Sequence, residues 1–341
     1  MRHLTAVCAA LFLVGCQAEP QVLSIAGETM GTTYSITAID PTNDVTVDAV
    51  QAAVEATLGV VNGQMSNWDP NSEISQFNAA QTTEAIEISE ELALVMDVAN
   101  AVHTQSDGQF DVTLGPLIGL WGFGQRTPDS PIPDDAAIEA AMQIVGQADL
   151  LSLTMDPPTM AKASADTEVF LAAIAKGYGV DQIGATLEGL GLEDYLVEIG
   201  GDLLTSGKNS EGEDWRIGIE RPEPGGSDVE EIVSVSGLGM ATSGDYRNFF
   251  EVDGVRYSHI IDANTGRPIT HATASVTVLA EDAMLADAWA TALLVLGEER
   301  GMEISRELDL ASFFIVRDTT SSDPAFITIS SPRFEELQSG S

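Results

Sequence analysis

DTEVFLAAIAKGYGVDQIGATLEGLGLEDYLVEI, residues 166–199, carries the change of period on which the fold reading turns. Residues 166–190 repeat apolar side chains at helical spacing and read as one long helix. Gly177 and Gly179 weaken that helix by about 1 kcal/mol each, which close approach of a ligand or another strand would explain. From Tyr195 to Ile199 the period drops to two, the pattern of a strand with one buried face.

Downstream, strands are predicted at Trp215–Ile219, Ile232–Leu238, Tyr257–Ile261 and Ala274–Leu279, with a turn over residues 222–228. A helix from Asp282 to Leu296 should stop at Gly297, and two further strands fit Ser312–Val316 and Ala325–Ile329. Upstream, strands at Val22–Ala26 and Tyr34–Ile39 flank Gly31. Helices fit Val45–Met65, Ser89–Gln105 and Asp135–Val145, and strand-like material continues to about residue 165. Residues 66–80 and the Pro-rich stretch 127–135 read as loops, and 107–124 is punctuated by glycine. The whole is an α+β pattern without regular βαβα alternation. No linker interrupts it, so residues 23–335 are expected to form one body, with a short tail at 336–341.

Charge excludes one class of partner. Fourteen Lys and Arg face 53 Asp and Glu, a net charge of −39, so there is no basic footprint for nucleic acid. The carboxylates are spread along the chain, as on a solvated surface. Both cysteines, Cys8 and Cys16, lie at the extreme N-terminus. Arg2 and His3 followed by an apolar run from Leu4 to Val14 read as a secretion signal, too short for a permanent membrane span. Leu13-Val14-Gly15-Cys16 resembles a bacterial lipobox. The expectation is a signal peptide over residues 1–15, lipidation of Cys16, and a tether over 16–22. Beyond Cys16 no thiol remains for a disulfide, a zinc site or a nucleophile.

Several familiar signals fail. The run from Gly201 to Lys208 has five residues between its glycines where a P-loop has four, and Asn209 replaces the magnesium-binding hydroxyl. His103, His259 and His271 are too scattered to suggest a zinc site. The positive signal is the pair Asp287 and Thr291, four apart and hence on one helical face. Carboxylate and hydroxyl are the hard oxygen donors that magnesium prefers. The competing reading is a surface Asp beside a back-bonded Thr, but the Ala, Leu and Trp neighbours suggest a buried helix. A buried carboxylate costs several kcal/mol unless paired or bound to a cation. Lys176 suits a phosphate, or else a surface pair with Asp181. His259, in a strand between Ser258 and Ile260, is either a structural hydrogen-bonder or a proton acceptor.

Taken in order, the motifs resemble the ApbE family of FAD:protein FMN transferases over nearly the whole chain. Met30-Gly31-Thr32, the loop from Ser66-Asn67-Trp68-Asp69 through Ser72-Glu73-Ile74-Ser75 to Asn78, and Gly108-Gln109-Phe110-Asp111-Val112-Thr113-Leu114-Gly115-Pro116-Leu117 come first. The Ala175-Lys176-Gly177-Tyr178 run, Gly200-Gly201-Asp202, Thr242-Ser243-Gly244, Ser258-His259, Thr265-Gly266 and Ala286-Asp287 with Thr291 follow. Each is weak alone; their order is not. The resemblance implies a compact body of mixed or antiparallel sheets with packed helices. It implies Mg2+ held by Asp287, Thr291 and the Ala173 carbonyl, and FAD as co-substrate lined by Met30, Trp68, Gln109, Phe110, Asp111, Lys176 and Ile261. FMN would pass to a Thr or Ser hydroxyl of an acceptor protein, expected to be a membrane redox complex subunit, with AMP released. The setting would be a lipid-anchored protein on the extracytoplasmic face of a membrane.

The chain departs from the family pattern in three places. Trp68 stands where Tyr is commoner, Ala290 replaces a further acidic ligand, and Phe170 replaces an Asp that contacts FAD. Asp287 and His259 are the residues expected to carry catalysis, with Arg247 or Lys176 steadying the AMP side. An FAD-binding lipoprotein and a Mg-dependent FAD pyrophosphatase are the competing functions.

Overall fold

The computed structural model describes residues 20–123, 130–223, 225, 228–320 and 325–339. Its central sheet has eight strands: β1 (Gln21–Thr29), β2 (Thr32–Asp40), β3 (Asp194–Ile199), β4 (Asp202–Ser206), β5 (Gly239–Gly244), β6 (Thr273–Ala280), β7 (Ala311–Arg317) and β8 (Phe326–Ser330). They lie side by side in chain order, and every neighbouring pair is antiparallel. Two of the hairpins turn on a pair of residues with positive φ, as tight two-residue loops require. These are Met30-Gly31 (50° and 75°) and Gly200-Gly201 (58° and 102°).

Among the described residues there are nine helices: α1 (Val47–Met65), α2 (Glu73–Ala79), α3 (Glu90–Gln105), α4 (Gly115–Trp121), α5 (Asp135–Met142), α6 (Gln147–Leu150), α7 (Ala175–Gly189), α8 (Ala283–Glu307) and α9 (Pro332–Ser339). Side-chain caps set several starts: the oxygens of Ser89, Asp134 and Asp282 accept from the N–H groups of Leu92, Ala137 and Leu285. On one face of the sheet, Val276, Val278, Phe314 and Val316 join a core with Trp289 and Leu293 of α8. The alternate residues Leu279, Phe313 and Ile315 join Trp215, Val233 and Phe334 on the other face, supplied by the hairpin Trp215–Glu220/Val229–Val235 and by α9. Strands covered on both faces bury nearly every residue, and in β6 and β7 the buried set includes the small polar residues Thr273, Ser275, Thr277 and Ser312.

The structure corrects several expectations. The long helix over 166–190 begins only at Ala175. Two asparagine side chains bind residues 167–171 outside the helix: Asn67 Nδ2 donates to Val169 O (2.7 Å) and Asn67 Oδ1 accepts from Leu171 N (2.9 Å). Asn78 brackets Val169 the same way, 2.8 Å on each side. The loop over 66–80 contains α2, started by Ser72, whose hydroxyl accepts from Ser75 N. At Gly297 (φ 73°, ψ 178°) the chain breaks helical geometry as expected, but the helix resumes to Glu307. Strands β4 and β5 were not anticipated: both are short, and β5 consists almost wholly of small residues. The tether gives way to β1 at Gln21, and α9 runs through Ser339, past the expected start of the tail at 336. Residues 1–19, with Cys16, lie outside the described residues, as do 124–129 and parts of the 222–228 turn. Among the described residues no helix is long and apolar enough to cross a membrane.

Candidate active site

Two missing side chains bring three elements together. A Cβ on Gly177 of α7 would lie 2.2 Å from Ala283 O, and one on Gly239 of β5 would lie 2.2 Å from the Asp282 carbonyl carbon. The first turn of α8 is pinned there. Asp181 accepts from Ala283 N (2.8 Å) and Met284 N (2.9 Å), and Asp282 accepts from Leu285 N (2.7 Å). Burial pushes the Asp181 carboxyl up to about 7, against the two amide bonds that favour its charged form. The close approach suggested by the glycines is therefore made by a helix terminus.

One turn further, Asp287 is 3 % exposed, so it is no surface residue. Its Oδ2 accepts from Gly177 N at 3.2 Å. Lys176 Nζ lies 3.4 Å and 3.3 Å from its two oxygens and bonds more tightly to Asp202, the first residue of β4. The expected alternative, a Lys176–Asp181 pair, is not what forms. Burial works against the Lys176 charge, but attraction to Asp202 and Asp287 outweighs it and raises the pKa above the ordinary lysine value. Asp202 is shifted upward by its own burial and by the neighbouring Asp287 charge. Thr291, on the next turn, has its Oγ1 3.0 Å from Ser243 Oγ of β5.

These groups border a cavity of about 630 Å³, a size suited to a cofactor-sized molecule. Its wall includes Trp68, Gln109, Phe110, Asp111, Ala173, Lys176, His259, Ile261, Asp287 and Thr291. Met30 is the exception among the expected residues: its methyl and sulfur lie over Gly179 of α7, and it is not part of that wall. A more open groove of about 740 Å³ between the Trp215 hairpin and α9 holds none of these residues.

The aromatic part of the wall is positioned by backbone wiring. Trp68 N and Asp69 N both donate to Ser66 Oγ at 3.2 Å, and the Trp68 indole, largely exposed, meets Phe170 edge-on at 6.1 Å. Phe170 N donates to Val112 O. The strap behind it is held by Lys162, 2 % exposed, whose Nζ donates to Asn78 O (2.8 Å) and Thr167 O (3.4 Å). Asp111 lines the cavity but commits its oxygens to Thr113 and Gln147 N, which makes it a brace for the 109–113 turn. Gln109 Oε1 is buried without a hydrogen-bond partner, an acceptor open to a ligand N–H such as a flavin imide.

His259 is half-buried, with Nδ1 3.0 Å from Asn248 O. Assigning the Nδ1 proton to that carbonyl leaves Nε2 as an acceptor. Burial is the largest influence and lowers its pKa below the ordinary 6.5, so the ring is neutral at pH 7. Sequence reasoning missed Asp202, Ser243 and Lys162 as parts of this site. Asp202 and Ser243 stand inside quoted motifs, so their positions were visible while their partners were not.

The oxygens of Asp287, Thr291 and Ala173 fit magnesium by chemistry: all are hard donors on one cavity wall. No group of three His, Cys, Asp or Glu is placed to hold a metal among the described residues. Magnesium commonly uses one or two carboxylates and completes its shell with water and substrate phosphate, so the sparse donor set is consistent with it.

The pattern of the ApbE family matches residues 30–314. This chain belongs to the ApbE family. Among its relatives, the FAD:protein FMN transferase of Haemophilus influenzae is 41% identical over 339 residues, covering 98% of this chain and 96% of that protein. That of Vibrio cholerae is 40% identical over 314 residues, covering 92% and 93%. The solved flavin transferase ApbE from Vibrio cholerae superposes with a TM-score of 0.84 at 39% identity, covering 93% of this chain and 99% of that one. The Pseudomonas stutzeri flavinyl transferase ApbE gives 0.83 at 37% identity, covering 94% and 97%. The antiparallel sheet and the α7–α8 junction described above are thus the ApbE fold in this chain.

Proposed function

We propose that this chain is an FAD:protein FMN transferase that attaches FMN to a Thr or Ser hydroxyl of an acceptor protein. The observation that carries the reading is one cavity, in a chain of the ApbE family, joining the Lys176–Asp202–Asp287–Thr291 cluster to the aromatic wall of Trp68, Phe110 and Phe170.

The flat flavin packs against the aromatic side chains, and Gln109 Oε1 accepts its imide N–H. The Lys176 ammonium faces the pyrophosphate, with Arg247 at the cavity edge, where it bonds Glu220 at 2.5 Å, beside the AMP half. The acceptor oxygen attacks the phosphorus on the FMN side. A phosphoester forms, the bond from that phosphorus to the bridging oxygen breaks, and AMP leaves with that oxygen. The hydroxyl proton passes to His259 Nε2, which its neutral state leaves free to accept. Mg2+, held by Asp287, Thr291 and the Ala173 carbonyl, would neutralise the pyrophosphate and the charge developing in the transition state.

Leu13-Val14-Gly15-Cys16 supports a lipid anchor at Cys16 and a place on the extracytoplasmic membrane face, with a membrane redox complex subunit as acceptor. Cys16→Ser should move the protein out of the membrane fraction or leave it unprocessed; unchanged fractionation would remove the anchor from the reading.

The test of function is intact-mass measurement after incubation with FAD, Mg2+ and a Thr-bearing acceptor. One FMN gained on the acceptor, with stoichiometric AMP, is expected. AMP and free FMN with an unmodified acceptor would make the protein a pyrophosphatase, and bound but uncleaved FAD would make it a binding protein.

A further inference from the structure

We propose that Lys176 is the resident cation of Asp287, that a divalent ion binds by displacing it, and that Asp202 is the positioning residue that keeps the displaced ammonium in the cavity. This rests on the reading that Asp287 and Thr291 take a divalent cation.

Asp287 lies almost wholly out of solvent, and a carboxylate in that position needs a countercharge. In the metal-free protein the countercharge is the Lys176 ammonium, 3.3 Å and 3.4 Å from the two carboxylate oxygens. Those separations exceed the 2.7–2.9 Å of a strong charge-assisted hydrogen bond. The contact to Asp202 is the shorter one, so the ammonium belongs first to Asp202 and leans on Asp287. Asp202 and Asp287 come from different elements, the start of β4 and the second turn of α8, and flank the ammonium between them.

A divalent ion coordinated to Asp287 would sit about 2.1 Å from a carboxylate oxygen, within a few ångströms of Nζ. Two cations cannot share that carboxylate at such a distance without strong repulsion. The lysine side chain has a flexible four-carbon stem, so its head can turn away at small cost. Without Asp202 it would lose the partner it already holds after that turn. With Asp202 it stays at the polar end, its donors released from Asp287 and open to the phosphates of the substrate. The exchange also gives Asp202 a purpose distinct from metal ligation: it determines where the charge goes.

The test uses Mn2+ as the probe on FAD-free protein, with affinity read by EPR titration, and separately the KM for FAD. In Lys176→Met, Mn2+ should bind at least about tenfold more tightly, because a competing unit charge within about 4 Å has been removed. The same variant should raise the KM for FAD. In Asp202→Asn, the ammonium leans wholly on Asp287, so Mn2+ should bind more weakly and the KM for FAD should rise. Lys176→Gln serves in place of Met if the melt shows that Met disturbs folding. Mn2+ affinity unchanged or weakened in both well-folded Lys176 variants overturns the exchange. Asp202→Asn with wild-type Mn2+ affinity and wild-type KM overturns the role of Asp202. A wild-type protein that binds no Mn2+ at any concentration up to millimolar overturns the divalent-site reading itself, and this proposal with it.

Discussion

Gly177→Ala is the sharpest probe of how this fold builds its site. The added Cβ would stand 2.2 Å from Ala283 O, 2.6 Å from its carbonyl carbon and 2.7 Å from Met284 Cα. All three are backbone atoms, in a helix turn already fixed by Asp181 and Asp282. No rotamer change can relieve the contact, so α7 and α8 must separate by roughly 1.2 Å or more to bring the closest pair from 2.2 Å to ordinary van der Waals distance. Overpacking of this kind costs about 1–3 kcal/mol, offset by the roughly 1 kcal/mol that alanine contributes to helix propensity. The net loss of up to about 2 kcal/mol corresponds to a fall in Tm of up to roughly 3 °C for a chain of 341 residues, at about 2.1 cal/mol/K of unfolding entropy per residue. The same separation stretches the 3.2 Å bond from Gly177 N to Asp287 and shifts Lys176 next to it. A misplacement near 1 Å at a reacting site is worth about a hundredfold in rate. Thermal melts and single-turnover FMN transfer on the purified variant measure both effects. Gly179→Ala is the control: its Cβ would meet only the mobile end of Met30, at 2.9 Å, and Ile199 Cδ1 at 3.5 Å. That variant should keep a wild-type melt. A Gly177→Ala enzyme indistinguishable from wild type in melt and rate would refute the packing argument.

Three further outcomes follow from the site. Asp287→Ala should lose FMN transfer by several orders of magnitude, well beyond the roughly 1–3 kcal/mol of stability lost with the acceptor of Gly177 N, and Thr291→Val should lose less, having removed a neutral oxygen; a normal rate across a Mg2+ titration in Asp287→Ala would sink the metal assignment. His259 accepts a proton only when neutral, and burial holds its pKa below 6.5, so the transfer rate should be level from pH 7 upward and fall as pH drops below that value. His259→Gln should abolish that acid limb, and an unchanged profile would assign the limb to another group. Lys162→Met leaves the carbonyls of Asn78 and Thr167 without their donor, at about 1–3 kcal/mol, and loosens the strap carrying Phe170 and Ala173. Its KM for FAD should rise more than its kcat falls, whereas a lowered melt with unchanged KM would make the lysine purely structural.

What the sequence could and could not disclose divides along physical lines. Asp287 and Thr291 were legible because a helix fixes residues four apart on one face whatever surrounds it. The partner of Lys176 was not, because Asp202 and Asp287 reach it from 26 and 111 positions away. Helical geometry alone argues against the nearby Asp181, since five residues turn it roughly 140° away from Lys176. The stretch over 166–174 follows the helical period, but asparagine side chains from residues 67 and 78 supply its backbone with other hydrogen bonds, and tertiary wiring overrides the local preference. Strand β5 hid for a related reason. Its small residues give no alternation to read, and Gly239 must be small because the Asp282 backbone sits where a side chain would project. Gly177 blurs α7 on the same ground. The positions least readable as secondary structure are therefore the ones whose missing side chains let α7, α8 and β5 converge. That convergence places a buried carboxylate, an ammonium and two hydroxyls on one cavity wall.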